Sequence, residues 1–171
     1  DRQKRGLILS FPILYNMVIK DFEKNPFSKK GILDKEVIRK YSQDIVDKFD
    51  VRSGEGVDSL AGMLSGGNQQ KAMIGREVSL DPDLLIAVQP TRGLDVGAIE
   101  FIHEAIVAQR DKGKAVLLVS FELDEIFNLS DRIAVISGGK LIDIVKTEDT
   151  DVHEVGLMMA GIKKDDKEEV R

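Results

Sequence analysis

The stretch Leu64-Ser65-Gly66-Gly67-Asn68-Gln69-Gln70-Lys71 decides how this chain is interpreted. It opens a segment typical of a helix, from Asn68 to about Ser79. Ser65 suits the N-cap position, where its hydroxyl accepts from an amide two or three residues on. The adjacent glycines leave backbone amides uncovered, and the positive end of the helix dipole suits an anion such as phosphate. A glycine turn that merely starts a helix explains the same residues, so other motifs must decide.

Composition narrows the possible classes of protein. The 171 residues are enough for one domain with a hydrophobic core, and the net charge of −5 argues against a basic nucleic-acid face. Cysteine is absent, which excludes disulfides and thiolate metal sites. No apolar run approaches the roughly 20 residues of a membrane span. The chain lacks an initiator Met and opens on charged residues, so we expect part of a longer protein.

The first half of the chain is predicted to be mostly α-helical. Apolar residues at three and four residue spacing predict a short helix from Ile13 to Phe22 and a longer one from Asp34, as N-cap, to Asp50. The intervening residues 25–31 carry proline, glycine and asparagine and are typical of a loop. The charged residues on the outer face of the second helix are expected to be solvated.

The second half alternates strands with helices. Strands are predicted at 84–88, 115–120, 132–136 and 140–145, and helices at 96–111, 122–129 and 151–160. The continuous apolar run Leu84–Val88 predicts a strand buried on both faces of a parallel sheet. Gly138-Gly139 predicts a hairpin between the last two strands. This order indicates an α/β fold with an antiparallel edge, followed by a charged tail at 162–171.

Four segments in this order resemble the ATP-binding subunits of ABC transporters over about residues 1–160. Leu64–Gln69, the signature segment, resembles the family's signature motif. An apolar strand ending at Gln89-Pro90-Thr91 stands where the family has its Walker B strand. Gly93-Leu94-Asp95, the D-loop segment, resembles the family's D-loop, and Val119-Ser120-Phe121 stands where the switch histidine is usual. The resemblance implies part of a P-loop ATPase core, a three-layer and mostly parallel sheet, plus a helical subdomain.

Further sequence segments resemble one branch of the family. Asn68-Gln69-Gln70-Lys71 and the stretch from Pro90 to Ala98 are similar to the second ATP-binding half of tandem subunits that serve sugar importers. Leu84–Gln89 and Ser120–Leu123 are most similar to the branch linked to purine nucleoside uptake with a substrate-binding lipoprotein. On this basis residues 1–79 are expected to form the helical subdomain and residues 80–161 the C-terminal part of the ATPase core.

The hydrolytic positions depart from the family pattern. No Gly-x-x-x-x-Gly-Lys-Ser/Thr loop occurs in the sequence, so we expect the chain alone to be inactive and to bind no ATP tightly. The family's Asp-Glu pair is replaced by Val88 and Gln89, and the switch position holds Phe121. Glutamine orients a water but cannot accept its proton, and a positioned general base is worth ~10²–10⁴ in rate.

The resemblance implies an asymmetric pair of ATP-binding halves. The signature segment (Leu64, Ser65, Gly66, Gly67, Asn68, Gln69) would contact ATP held by the other half's Walker loop, and the D-loop segment (Gly93, Leu94, Asp95) would lie at the interface. ATP and Mg²⁺ are expected in the parent dimer, with no metal ligands on this chain. Expected partners are the first ATP-binding half, membrane permease subunits and, indirectly, the lipoprotein, with no nucleic acid. The expected location is peripheral, at the cytoplasmic face of the membrane.

Two alternatives stay open at this point. One is an ABC ATPase without a permease, of the translation-factor or DNA-repair type; the other is an interaction module that needs no nucleotide. Arg92 would either reach the interface or form a salt bridge within its turn, and Glu122 and Glu125 are expected to be solvated or capping. His103 and His153 lack a second ligand at metal spacing. Uncovered strands are also expected to cause self-association.

Overall fold

Residues 6–162 are described by the computed structural model of the chain. Predictions for residues 1–5 and for the tail beyond Ile162 lie outside this range. The described residues form two compact units that divide after Leu117. This division does not test the predicted boundary near Ser79 between a helical subdomain and the ATPase core, which remains a prediction.

Helices dominate the first unit, as the sequence predicts. They are α1 Ile13–Val18, α2 Lys35–Lys48, α3 Gly66–Ser79 and α4 Val96–Asp111. α2 packs on both α1 and α3, and α4 packs on α3. α1 is shorter than predicted, since it ends at Val18. Phe22, the predicted last residue of its apolar face, is 42% exposed and does not join the core.

The packing of α2 on α3 depends on a glycine. α2 begins at Asp34, whose carboxylate accepts from the amide of Val37, and its apolar face is buried. A Cβ added to Gly75 of α3 would lie 2.9 Å from the Ile45 side chain and 2.9 Å from the Phe49 ring. Only a residue without a side chain allows the two helices this approach.

A small hairpin replaces part of the predicted loop at 25–31. β1 (Ser28–Lys29) pairs antiparallel with β2 (Ile32–Leu33). The turn residues Lys30 and Gly31 have φ angles of 54° and 79°, which suit the tight turn of a two-residue hairpin. Two 3₁₀ turns, Gly56–Asp58 and Ala61–Met63, then lead into the signature segment.

The strand β3 (Leu84–Val88) neighbours β4 (Ala115–Val119), with α4 between them in the chain. The Ala115 amide donates to the Asp83 carbonyl over 3.0 Å, so both strands start at the same end, as a helical crossover requires. The prediction that β3 is buried on both faces is wrong. Leu84, Ile86 and Val88 are 50%, 58% and 62% exposed, since no described element covers that face.

The second unit combines two short helices with a hairpin. Its elements are α5 Leu123–Leu129, β5 Arg132–Ser137, β6 Lys140–Lys146, a 3₁₀ turn Thr147–Asp149 and α6 Val152–Met159. β5 and β6 are antiparallel, and both glycines of the Gly138-Gly139 turn have positive φ. Residues from β5 and α6 form its core (Ile133, Val135, Val155, Met158).

The predicted α/β class is confirmed, because helices occur together with the parallel strands β3 and β4 and with the antiparallel hairpin β5–β6. One local expectation is wrong in part: Glu125, expected to be solvated or capping, is not solvated, because it is buried, at 4% exposure, in the first turn of α5. Among the helices described, none has both the length and the apolar character that crossing a bilayer requires.

Candidate functional site

The signature segment forms the N-terminus of α3. Ser65 is the N-cap, and its Oγ accepts from the Asn68 amide over 3.3 Å and from the Asn68 side chain over 3.0 Å. The Gln69 side chain is buried and donates to the carbonyls of Ala61 and Leu64 over 3.2 and 3.3 Å. Leu64 is also buried. Gln69 and Leu64 therefore anchor the segment, whereas Ser65 is left at the surface.

The D-loop segment forms the N-terminus of α4. Asp95 is the N-cap, and its Oδ1 accepts from the Ala98 amide over 2.9 Å. Gly93 has a φ of 69°, a conformation that favours glycine, and Leu94 donates through its amide to the Thr91 carbonyl. The carboxylate at the end of this turn thus caps the helix that follows it.

The two segments meet where α3 packs on α4. A Cβ added to Gly67 would lie 3.1 Å from the Ala98 Cβ and 3.6 Å from Oδ2 of Asp95. The sequence suggested that both glycines expose backbone to a ligand. For Gly67 the contact with Ala98 is an additional, packing reason for the missing side chain.

An open cleft of about 430 Å³ lies along these two helix starts. Its lining includes Ser65, Gly67 and Asn68 of the signature segment together with Asp95. Charged residues of both signs also line it (Asp50, Arg52, Lys71, Glu100 and Glu104). This mixture differs from a basic phosphate pocket, so attraction for an anion must come from the helix N-termini.

Lys71 connects the cleft to the end of α2. Its Nζ lies 2.9 Å from Oδ2 of Asp50, donates to the Asp50 carbonyl and lies 4.5 Å from the centre of the Phe101 ring. The hydrogen bond from Lys71, supported by Arg52, lowers the pKa of the Asp50 carboxyl below its usual value. Asp50 has a φ of 46°, the left-handed conformation that often follows a helix.

Sequence reasoning missed this part of the cleft. The sequence pattern assigns no role to Lys71, although it lies in the stretch Leu64–Lys71, and it predicts Asp50 only as the end of a helix. A signal did exist, because aspartate is one of the few residues apart from glycine that tolerates the left-handed conformation after a helix end.

The end of β3 contrasts with the cleft. Val88 is 62% exposed and Gln89 has a φ of 50°, so the chain turns sharply where the strand ends. Gln89 Nε2 is buried, and no described residue accepts its hydrogen bond. Within the described range no three Asp, Glu or His side chains cluster as metal ligands. A hydrocarbon and a carboxamide are poor ligands for Mg²⁺, which prefers carboxylates.

Phe121 lies in the second unit, just after β4, and is 73% exposed. The amide of the next residue, Glu122, donates to Ser120 Oγ over 3.1 Å. An aromatic hydrocarbon at this position has no hydrogen-bond donor for a phosphate oxygen.

Comparison with curated proteins finds import ATP-binding proteins. The chain is 55% identical over 161 residues to the guanosine import ATP-binding protein NupO of Bacillus subtilis, with 94% of this chain and 31% of the relative covered. It is 52% identical over 162 residues to the nucleoside import ATP-binding protein NupA of Lactococcus lactis, covering 94% and 32%. The glucose import ATP-binding protein TsgD13 of Haloferax volcanii is 46% identical, with 94% and 30% covered. The chain is a homologue of sugar and nucleoside import ATP-binding proteins.

Solved structures give the same answer for the fold. A nucleotide-free ATP-binding cassette from an ABC transporter matches with a TM-score of 0.69 and 20% identity, over 91% of this chain and 64% of that one. A dimeric cassette in a post-hydrolysis state, bound to ADP and phosphate, matches with a TM-score of 0.66 and 23% identity, over 85% and 60%. This chain therefore has part of the ATP-binding cassette fold. No protein-family model matches it.

The homologues are much longer than this chain, which spans about a third of the length of the curated relatives it matches. These relatives are named as ATP-binding proteins, so the side chains at the starts and ends of the elements in this chain are compared with what ATP phosphates and magnesium require. The start of α3, with the exposed Ser65 hydroxyl, fits a phosphate oxygen. The end of β3, with Val88 and Gln89, does not fit a magnesium ion.

Proposed function

We propose that this chain is the second ATP-binding half of a tandem subunit that powers an importer of nucleosides or sugars. The observation that carries the proposal is the meeting of the signature and D-loop segments at two neighbouring helix starts along one cleft. Similarity to guanosine and nucleoside import proteins supports a nucleoside as the solute. Residues 1–79 then form the helical subdomain and residues 80–161 the C-terminal part of the core.

The role of the signature segment is to clamp a phosphate in trans. The Ser65 hydroxyl and the amides at Gly66 and Gly67 donate to the γ-phosphate of ATP that the partner half holds on its Walker loop. The positive end of the α3 dipole adds to this attraction. When bound, ATP supplies the phosphoanhydride bond whose hydrolysis drives transport. Leu64 and Gln69 hold the clamp in place from the buried side.

The chain's own hydrolytic positions serve a site of low turnover. Val88 provides no ligand for the magnesium of that site, Gln89 orients water without taking its proton, and Phe121 gives no hydrogen bond. We therefore expect this second site to bind nucleotide and hydrolyse it inefficiently. Asp95 of the D-loop segment would carry contact across the interface between the halves.

The partners follow from the same proposal. They are the first ATP-binding half of the same parent chain, the membrane permease subunits that meet the helical subdomain, and indirectly a substrate-binding lipoprotein. The protein then lies peripherally at the cytoplasmic face of the membrane, with ATP and Mg²⁺ bound between the halves.

Substitution of Ser65 tests the clamp. In the parent protein, Ser65→Arg should lower both the ATPase rate and solute uptake by ~10² or more, the usual loss when a donor to a developing charge is removed. Ser65→Thr, which keeps the hydroxyl and the cap, is the control and should retain most activity. Unchanged ATPase and uptake in the arginine variant would rule out the clamp.

Substitution of Gln89 tests the low-turnover site. Gln89→Glu supplies a base but leaves Val88 and Phe121 in place, so turnover at the second site should stay well below that of the first. Full turnover from this single change would show that the three positions do not act together. Light scattering of this chain with the parent's first half, with and without ATP–Mg²⁺, separates the proposal from a nucleotide-independent module, since only the module would associate equally in both.

A further inference from the structure

Asn68 joins the signature serine to the loop that follows α2. Its Oδ1 accepts from the backbone amide of Arg52 over 2.9 Å. An amide nitrogen can only donate, so this contact fixes which end of the carboxamide is oxygen. The Nδ2 group must then face Ser65, and it lies 3.0 Å from the Ser65 Oγ. The orientation of Asn68 is thus determined from both ends.

This arrangement restricts the Ser65 hydroxyl. A serine hydroxyl has two acceptor lone pairs and one proton. Here Oγ accepts both from the Asn68 backbone amide, over 3.3 Å, and from the Asn68 side chain, over 3.0 Å. With both lone pairs engaged by one residue, the hydroxyl proton must point away from α3. Ser65 is exposed, so that proton faces the space in front of the helix start.

We propose that Asn68 is a positioning residue, which holds the Ser65 hydroxyl as a donor toward phosphate. This inference rests on the proposed function of Ser65. The two hydrogen bonds from Asn68 to the Ser65 Oγ are here called the brace. Without the brace, a serine hydroxyl rotates among its three rotamers and also accepts hydrogen bonds, whereas with it the hydroxyl is ready to donate.

The brace has its own support one turn further along α3. Lys71 contacts both the carboxylate and the carbonyl of Asp50, over 2.9 and 3.3 Å. This ties down the loop whose amide at Arg52 holds Asn68. Lys71 therefore stabilises the loop that holds Asn68 and, through Asn68, the position of Ser65.

The experiment is a double-mutant cycle on Ser65 and Asn68, measured as the ATPase kcat and KM of the parent protein. Asn68→Asp keeps the oxygen that accepts from Arg52, but its second oxygen accepts the serine proton and turns it inward. Ser65→Ala alone should lower kcat by ~10²–10³. Asn68→Asp alone should lower kcat about tenfold, the worth of one hydrogen bond, with KM for ATP unchanged. Added to Ser65→Ala, it should change kcat by less than about twofold.

Each outcome separates a different failure. If Ser65→Ala retains full kcat, the proposed clamp itself is wrong. If Ser65→Ala is impaired while Asn68→Asp is not, the clamp stands and the positioning role of Asn68 is wrong. If the Asn68→Asp loss persists at full size in the Ser65→Ala background, the new charge repels ATP directly, and the positioning role is again wrong.

Two controls complete the design. Asn128→Asp makes the same chemical change at an exposed position of α5 and should leave kcat unchanged. Unfolding by urea checks the fold of the variant, and Asn68→Asp should not lower its midpoint, because a carboxylate in the first turn of a helix is favourable.

Discussion

The start of α3 and the end of β3 are two sites of the same fold, and they differ in how completely they are built. The Ser65 hydroxyl is held by two hydrogen bonds, and Asp95, the cap of α4, lies beside Gly67 of the same helix start. At the end of β3, Val88 is exposed and the buried nitrogen of Gln89 has no acceptor among the described residues. One site has an organised set of donors, and the other lacks both base and metal ligand.

Under the proposed function, this difference separates the donor role that the chain keeps from the hydrolytic role that it lacks. Donors at a helix start need only precise backbone and hydroxyl placement, which the packing of α3 on α2 and α4 supplies. Hydrolysis needs a carboxylate at the strand end, and none is present there. The proposed function, in which the chain acts in trans, requires the first and not the second.

The largest expected effect concerns the packing behind the signature segment. Gly75→Val should lower the free energy of unfolding by about 1–3 kcal/mol, because the new side chain overlaps Ile45 and Phe49. The measurement is the urea midpoint together with the m-value. Gly156→Ala in α6 is the control, because a Cβ there meets nothing within 4 Å. The control should gain up to about 1 kcal/mol in helix propensity. Equal stability of the two variants would contradict the close approach of α2 and α3.

A smaller effect is expected at the uncovered face of β3. Ile86 is 58% exposed between two other exposed apolar residues of the same strand face, so we expect this chain to self-associate through it. Ile86→Lys should shift the sedimentation profile toward monomer. Ile32→Lys, the same change at an exposed residue of β2, should leave the profile as it was. If this chain without any substitution were monomeric in analytical ultracentrifugation, the prediction would be wrong.

The smallest effect concerns pH at the cleft. The hydrogen bonds from Lys71 and Arg52 lower the folded pKa of Asp50 below its unfolded value. Its contribution to stability is therefore present above about pH 4 and lost as the pH falls through the folded pKa. Lys71→Gln should raise the Asp50 pKa toward its usual value and weaken this acid dependence. NMR titration of the carboxyl groups measures it, and Asp58, whose pKa Arg39 lowers, should not respond.

Regular elements could be predicted well because their signals are local. The strand at Leu84–Val88 and the helix at Val96–Asp111 have the predicted bounds, since an apolar run and a three-to-four spacing set them directly. The caps Ser65 and Asp95 lie where their residue types favour them. That the chain contains part of a cassette could also be predicted, because the motif order is specific to the family.

Exposure and side-chain geometry could not be predicted in the same way. Burial of Leu84, Ile86 and Val88 depends on what covers the strand, and a single apolar run does not contain that information. Glu125 illustrates the converse, a charged residue that tertiary packing buries. The Asn68 brace depends on Arg52, sixteen residues away in the chain, and no local pattern reports such a contact.

The close contact at Gly75 also has a mechanical meaning. α2 has 14 residues, so it extends about 20 Å as a stiff rod from Asp34 to the point where Phe49 presses on α3. Because Gly75 has no side chain, α2 and α3 are in direct contact at this point, so a force on the Asp34 end of α2 would displace α3. Ser65, at the N-terminus of α3, would move with that helix.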